Sequence, residues 1–484
     1  MIRVAPVVVV LLGLLIPAPA FAVGEVSPIL VLNRCSGNCT INGGVDDARA
    51  MSSTLPCAGG ATCGGGSCFC NGTNAGTYTI EEFKDWQGNI GTAADAEWNM
   101  IVQCVREVYS PFNVMVTDTL PANAISHTQG IVAGRPANIG YGGLGVGGIA
   151  SGGLGCNPKD NVISFTFANI FNAGTQRARV LELCAVAAQE TAHSFGLDHA
   201  YEFSDGRSAC NDPMSYRYDC GGQDFFRNFT ARCGENGPRP CKCGGLQNSH
   251  QRLLAVFGPG TPLTPPPTLT ISAPTQGATV GNGATVVATS YAQRGVARLE
   301  LWLNGYLWLT VKGAPFGPDG QPETTYPLTF PASVPNSVID IVVKAYDDID
   351  TETIAPTITI TKGAPCTTAD TCAKGQKCEA GKCFWDAPTG EIGDACTYGQ
   401  FCLSGSCIDT TSGMYCSQQC VVGVTDSCPT GFACEGAEGA TGNCVRAGAG
   451  DDTCCNIGAN GKASTLIALF VVAFVLRRPR RRRR

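Results

Sequence analysis

Apolar and polar positions change period along this chain, and the changes mark its organisation. Residues 1–22 carry Arg3, an apolar run from Val7 to Ile16 and then Pro17-Ala18-Pro19-Ala20-Phe21-Ala22. This is the layout of a secretory signal peptide cut after Ala20 or Ala22, so the chain is expected to be exported. From there to residue 258 apolar runs alternate with helical periods. Ile29-Leu30-Val31-Leu32 reads as a strand, 93–109 as a helix, 112–118 and 162–167 as strands. A second helix is expected from near Val180, with Leu181, Ala185, Ala188 and Ala192 on its apolar flank, and a closing helix over 249–257 that Gly258-Pro259-Gly260 ends. The cysteine-rich, glycine-rich stretch from Cys57 to Cys70 reads as a stapled loop or as part of a propeptide.

Residues 259–268 form a proline-rich, semi-rigid linker. Period-two alternation then takes over in seven short runs: 269–272, 285–288, 297–303, 307–311, 326–330, 338–346 and 354–360, with a turn at Asn304-Gly305. Seven such strands make a sandwich. Ala273-Pro274-Thr275-Gln276-Gly277 and Val343-Lys344-Ala345-Tyr346-Asp347 resemble the ends of bacterial immunoglobulin-like modules. Since no cysteine falls here, Leu301, Leu303 and Val342 are expected to hold the core. Trp302 and Trp308 read as packing or solvent-side aromatics, with a ligand surface as the alternative.

Cysteine usage sharpens the map. Of 28 cysteines, fourteen lie from Cys35 to Cys243, none from 244 to 365, twelve from Cys366 to Cys444, and Cys454-Cys455 close the series. This density belongs to an oxidising compartment, and the even groups imply a separate disulfide set per domain. In 363–448 the spacing Cys372-x5-Cys378-x4-Cys383 returns as Cys396-x5-Cys402-x4-Cys407, which suggests related stapled units forming a stalk. The formal charge of -6 includes seven arginines in the last eight residues, and without them the body stands at -13. A nucleic-acid partner is excluded on that ground.

At the end, Asp451-Asp452-Thr453-Cys454-Cys455 precedes a polar spacer, an apolar run over 463–476 and the arginines. Fourteen residues span about 21 Å, short of a hydrocarbon core of about 30 Å. By the positive-inside rule the arginines stay cytoplasmic. The arrangement is similar to the MYXO-CTERM sorting tails of exported myxobacterial proteins, which implies envelope sorting or processing machinery as a partner and a membrane contact through the C-terminal helix. An ordinary membrane tail is the alternative.

The chemistry concentrates at Gln189-Glu190-Thr191-Ala192-His193-Ser194-Phe195-Gly196-Leu197-Asp198-His199. Residues four apart share a helix face, so Gln189 and His193 point at one spot, and Gly196 can end the helix and return His199 to it. Met214 follows fifteen positions after His199, in Asp212-Pro213-Met214-Ser215-Tyr216. The pattern resembles the metzincin metallopeptidases, His-Glu-x-x-His-x-x-Gly-x-x-His with a methionine turn. Gln189 replaces the first histidine, as in the gametolysin-like proteases of green algae. The resemblance implies His193, His199 and Gln189 as ligands of Zn2+, Glu190 as general base, Met214 as the floor of the site and Tyr216 as a wall that can reach the metal. It also implies an edge strand that binds extended peptide, for which 162–167 is the expected segment. An amide oxygen in place of imidazole opens Cu2+ or another divalent ion as the alternative metal. His127 and His250 are read as ordinary histidines that could otherwise supply the missing imidazole.

The expected whole is multidomain: signal peptide 1–22, an α+β metzincin-like peptidase domain 23–258, linker 259–268, an all-β immunoglobulin-like sandwich 269–362, a disulfide-rich stalk 363–448 and a sorting tail with a transmembrane helix 449–484. Its expected function is cleavage of protein or peptide substrate at the cell envelope. The competing class is a catalytically inactive surface protein used in adhesion or binding, and Gln189 is the feature that separates them.

Overall fold

The computed structural model of the protein describes residues 26–64, 67–151, 156–217, 220–313, 324–410, 412–422, 427–436 and 441–447. The expected signal peptide, sorting tail and apolar run 463–476 lie outside them. Among the described residues no helix is long and apolar enough to cross a membrane. The chain is mostly strand with few helices and divides into two compact units, one through residue 373 together with Cys378–Phe384, the other Lys374–Lys377 and everything from Trp385.

The first unit begins with a five-stranded sheet. Strands β1 (Ile29–Asn33), β2 (Met115–Thr117), β3 (Thr128–Val132), β4 (Gly148–Ala150) and β5 (Ile163–Thr166) lie in the order β2-β1-β3-β5-β4. All pairs are parallel except β5 with β4. Leu30, Val31 and Leu32 are wholly buried, as a continuous apolar run in a covered parallel sheet must be. Helices α1 (Asp95–Tyr109) and α2 (Gln176–His193) pack on one another and on the sheet, and Cys104–Cys184 fastens them. Thr175 caps α2 by accepting from the Ala178 N–H, which places the start of the helix four residues ahead of the expected Val180. Its buried face is Leu183, Cys184, Ala187, Ala188 and Ala192, while Leu181 and Ala185 stay half-buried. The closing helix α3 is Ser249–Phe257, as expected.

Two strand expectations change. The 112–118 run shortens to β2 because Phe112 is drawn into a bridge with Pro259. The 162–167 segment is interior, flanked by β3 and β4, so it is not the edge. The edge strand is β4, hidden in sequence within the glycine-rich stretch before it.

Following α3, the linker does not hang free. The Gly260 N–H donates to the Pro111 carbonyl at 2.8 Å and the Leu263 N–H to Ser110 Oγ at 2.9 Å. The sandwich sets Thr268–Ala273, Thr285–Tyr291 and Thr324–Thr329 in one sheet. The other holds Thr279–Val280, Ile358–Lys362, Ser337–Tyr346, Arg298–Leu303 and Tyr306–Lys312, with Glu352–Ile354 alongside. The expected strand 354–360 is broken where Pro356 has no N–H to give. Asn304 and Gly305 both take positive φ, the geometry of a two-residue hairpin. Leu301 and Leu303 are buried as expected, but Ile341 and Val343 fill the core instead of Val342, whose alternation points it the other way.

The first and second segments are locked together. Arg294 of the sandwich holds Asp348 by two bonds, 2.7 and 3.0 Å, and donates to the Phe226 carbonyl; Arg227 reaches back to the Arg294 carbonyl. All three side chains are within 2% of full burial. The expected stalk also starts later. Cys366–Cys378 and Cys372–Cys383 staple a module docked on the sandwich through Val338 N–H to the Gly381 carbonyl and Asn304 to the Cys383 carbonyl.

The second unit contains two more such modules, Cys396–Cys407 with Cys402–Cys416 and Cys420–Cys434 with Cys428–Cys444. In all three the first cysteine joins the third and the second the fourth. The repeat is therefore in a different phase from the spacing match: Cys366 corresponds to Cys396, not Cys372 to Cys396. Buried Cys396, Cys402 and Cys416 with Phe401 are the core of the middle module, so the bridges do the work that an apolar interior does elsewhere.

Candidate metal centre

Helix α2 ends where the ligands must gather. Ser194 caps it, and Gly196 turns the chain at φ +83, with the Arg252 guanidinium and the Cys156 carbonyl filling the space where a Cβ would go. That turn returns His199 to the helix. His193 Nε2 and His199 Nε2 stand 3.0 Å apart, with the ring planes at 90°.

The other ring nitrogens fix what those two atoms are. His193 Nδ1 faces the Leu197 carbonyl at 2.8 Å and His199 Nδ1 faces a Glu235 carboxylate oxygen at 2.9 Å. Both partners only accept, so both Nδ1 atoms carry a proton, and when both rings are neutral the two Nε2 atoms present lone pairs to each other. Two lone pairs at this distance repel unless a cation lies against them. Nitrogens on one tetrahedral zinc, each about 2.0–2.1 Å from it, stand about 3.3 Å apart, close to the spacing here. Burial and the neighbouring His199 push His193 down to about 3, so this ring is neutral near pH 7 and its Nε2 is available to accept. The donor set fits a divalent cation.

A second layer holds the two imidazoles. Arg239 grips Asp198 through both oxygens at 2.6 and 2.8 Å and Glu235 at 2.7 Å. His199 and Arg239 hold Glu235 down at about 2. Burial opposes ionisation of Asp198, but bonds from Arg239 and the Lys242 N–H outweigh it and leave the carboxyl at about 2. Glu235 and Arg239, which the sequence spacing does not reveal because they lie 36 and 41 positions from their partners His199 and Asp198, join the site through these contacts.

Glu190 lies beside the histidines in a cavity of about 830 Å³ that Gln189, His193, His199 and Tyr216 also line. Its carboxyl has no hydrogen-bond partner among the described residues, and burial raises it to about 8. The Gln189 amide is buried in the same lining. The edge strand passes close by: a Cβ on Gly148 would sit 2.5–2.8 Å from the Glu190 side chain, so any larger residue there must displace that carboxyl. Met214 is fully buried, its N–H held by Asp212 at 2.9 Å and its carbonyl accepting from Ala200. Tyr216 is 41% exposed with its ring 4.3 Å from that of His199.

The remaining candidates lie elsewhere. His127 bonds the Ile125 carbonyl and Gln129, and His250 packs on Phe112 at 5.0 Å; neither lines the cavity. Trp302 bonds Glu300 and sits under Lys344, a solvent-side aromatic, while Trp308 packs against the sandwich core. Thr54, Leu55, Cys63 and Cys68 line the cavity too, so the stapled loop after Cys57 is one of its walls. All fourteen cysteines of this segment are bridged, which leaves none to act as a free thiol on the metal.

No protein-family model matches the chain, and no curated protein does. Among solved structures, fibronectin(III)-like modules of Clostridium thermocellum CbhA align over 20% of this chain and 94% of theirs at 15% identity and a TM-score of 0.15. The endo-beta-1,4-mannanase of Thermotoga petrophila aligns over 49% of this chain and 47% of its own at 13% identity and TM-score 0.15. OgpA from Akkermansia muciniphila does so over 49% and 64% at 12% identity and TM-score 0.14. The chain spans about half to two thirds of the last two. Likeness at this level carries no argument about function.

Proposed function

We propose that the first segment is a metal-dependent endopeptidase of metzincin-like α+β fold, exported and held at the cell envelope by the C-terminal tail. One observation carries the reading: the Nε2 atoms of His193 and His199 meet at 3.0 Å beside the Glu190 carboxyl group, in an open cavity. His193 and His199 would hold a divalent ion, with the Gln189 amide oxygen as the third donor. Zn2+ fits two imidazoles best, and Cu2+ or another divalent ion is the alternative that a neutral oxygen donor opens. The bound ion supplies Lewis acidity toward water and the scissile carbonyl.

The chain's own residues do the rest. Glu190, which the charge of a bound cation would bring to its ionised form, is placed to take a proton from the attacking water and pass it to the leaving nitrogen, so hydroxyl goes to the carbonyl carbon, the C–N bond breaks, and the products are an acid and an amine. Glu235 and Leu197 fix the imidazole tautomers. Met214 packs beneath, and Tyr216 stacks on His199 at the mouth. Protein or peptide chains are the substrate class, with β4 as the wall along which they lie.

The test is metal analysis of the purified full chain, coupled to cleavage of unfolded protein by wild type and Glu190→Gln. Bound metal near one equivalent and at least a hundredfold loss in the variant are expected. Absence of metal after dialysis against Zn2+ and Cu2+, or cleavage unchanged in the variant, overturns the proposal. The second reading, a binding protein on an inactive peptidase fold, is favoured by one feature, Gln189 where an imidazole belongs, and would leave both measurements at background.

A further inference from the structure

The face that α2 turns to the cavity comprises Glu182, Val186, Gln189, Glu190 and His193, one helical stripe running away from the metal centre. Glu182 is the far end of it. Its carboxyl is half-buried and makes no hydrogen bond among the described residues, and burial raises it from its usual value against the pull of Arg179. Arg179 cannot serve as its partner. That guanidinium is buried and already engaged by Glu97 and by the carbonyls of Phe171, Lys84 and Ala168. Lys242 is the cationic side chain that lines the cavity, and it stands 3.9 Å from Asp198, at the histidine end.

Glu182 shares the cavity lining with Ile170, Phe171 and Asn172. Ile170 is 41% exposed into it and Phe171 is partly covered. Phe171 also meets the edge strand: a Cβ on Gly147 would be 3.0 Å from its ring. Apolar side chains beside a carboxyl that no cation bonds match one kind of side chain, a long methylene stem with a cationic head. Phe171 adds a ring face for that cation.

Resting on the peptidase reading above, we infer that Glu182, Ile170 and Phe171 form a subsite for a lysine or arginine side chain of the substrate. Its place along the peptide follows from helix geometry. Eight residues separate Glu182 from Glu190, about 12 Å of helix rise, which equals three to four residues of extended chain. The basic residue therefore sits three to four positions from the scissile bond, on one side of it.

The experiment uses the full chain and a quenched fluorescent peptide series in which one arginine is scanned from four positions before to four after the cleaved bond, against an all-alanine parent. Wild type is expected to cleave the peptide with arginine at the favoured position about tenfold better than the parent in kcat/KM. In Glu182→Gln the ratio of the two peptides should fall to near one, and in Glu182→Lys a glutamate peptide should replace the arginine peptide as the better substrate. A ratio unchanged in both variants while wild type still cleaves overturns the subsite and leaves the peptidase reading standing. If wild type cleaves no peptide and binds none by fluorescence anisotropy, the peptidase reading fails and the subsite falls with it.

Discussion

Replacing Asp348 with alanine tests whether the sandwich is part of the structure that carries the metal centre. Its carboxylate accepts from Arg294 at 2.7 and 3.0 Å and from the Asn228 N–H at 3.3 Å, with Arg227 Nη1 at 3.7 Å. Arg227 continues the chain of contacts: its N–H bonds Asp212 at 3.0 Å, and the other oxygen of Asp212 holds the Met214 N–H. Without Asp348, two fully buried guanidiniums face each other with their shared counter-ion gone. Breaking one partner out of a buried ion pair costs about 3–5 kcal/mol, and no discount for solvent applies at a side chain with no exposure. At about 2.1 cal/mol/K of unfolding entropy per residue, a unit reaching residue 373 shifts about 1–2 °C per kcal/mol, so the first unit should melt about 3–10 °C lower, measured by tryptophan fluorescence with disulfides intact. Metal affinity should fall as well, since the Met214 turn loses an anchor. Burial raises the Asp348 carboxyl, but Arg294 and Arg227 outweigh it and hold it below its usual 3.8. A depressed folded-state value means the contribution is complete above 3.8 and disappears as pH falls through the folded value. The gap between wild type and variant should be flat near neutral pH and close only in acid. A loss below 1 kcal/mol at pH 7, or a gap indifferent to acid, would refute the argument.

Three further outcomes are expected. Glu235→Ala removes the acceptor that fixes His199 and should weaken metal binding about 10 to 100-fold in a chelator competition; a change under twofold would mean His199 is oriented by something else. Gly148→Ala drives a Cβ to within 2.5–2.8 Å of the Glu190 side chain, so kcat should drop at least about tenfold with metal content kept, and normal turnover would show that the carboxylate does not stand where peptide is cut. The double change Cys104→Ser with Cys184→Ser opens a loop of 80 residues, and chain entropy puts the cost at about 4–5 kcal/mol, read as a fall in the denaturation midpoint; an unmoved midpoint would show that the α1–α2 packing holds by itself.

The parts of the site legible in sequence are those written in local spacing. A four-residue step on a helix and a glycine three residues later bring Gln189, His193 and His199 together whatever the rest of the fold does, and the structure shows the two imidazoles meeting. The sandwich strands were legible for the same reason, because a period of two needs only neighbours, and the errors there are parity at Val342 and a proline at 356. Spacing misled where contact is what counts. The x5, x4 cysteine match is real as a string, yet the bridges pair first with third and second with fourth, a phase that depends on which backbone hairpins close. The edge strand was illegible because it is three residues long and begins at Gly148, which packs against the Glu190 side chain, so it carries too few side chains to show a period.

What the sequence hides altogether is the support. Glu235 lies 36 positions from His199 and Arg239 lies 41 from Asp198, while Asp348 lies 120 beyond Asn228. No period spans such intervals, and a carboxylate in a loop reads as solvated until its partners are known. The consequence reaches the domain map. Composition places a proline-rich linker after residue 258, yet Gly260 and Leu263 bond back to Pro111 and Ser110, and the ion cluster of Arg227, Arg294 and Asp348 is buried to within 2%. A fragment ending at 258 would expose the Arg227 side of that cluster and strip its counter-ion. The sandwich is therefore a structural half of the unit that positions Met214 and the two imidazoles, not a spacer that carries it.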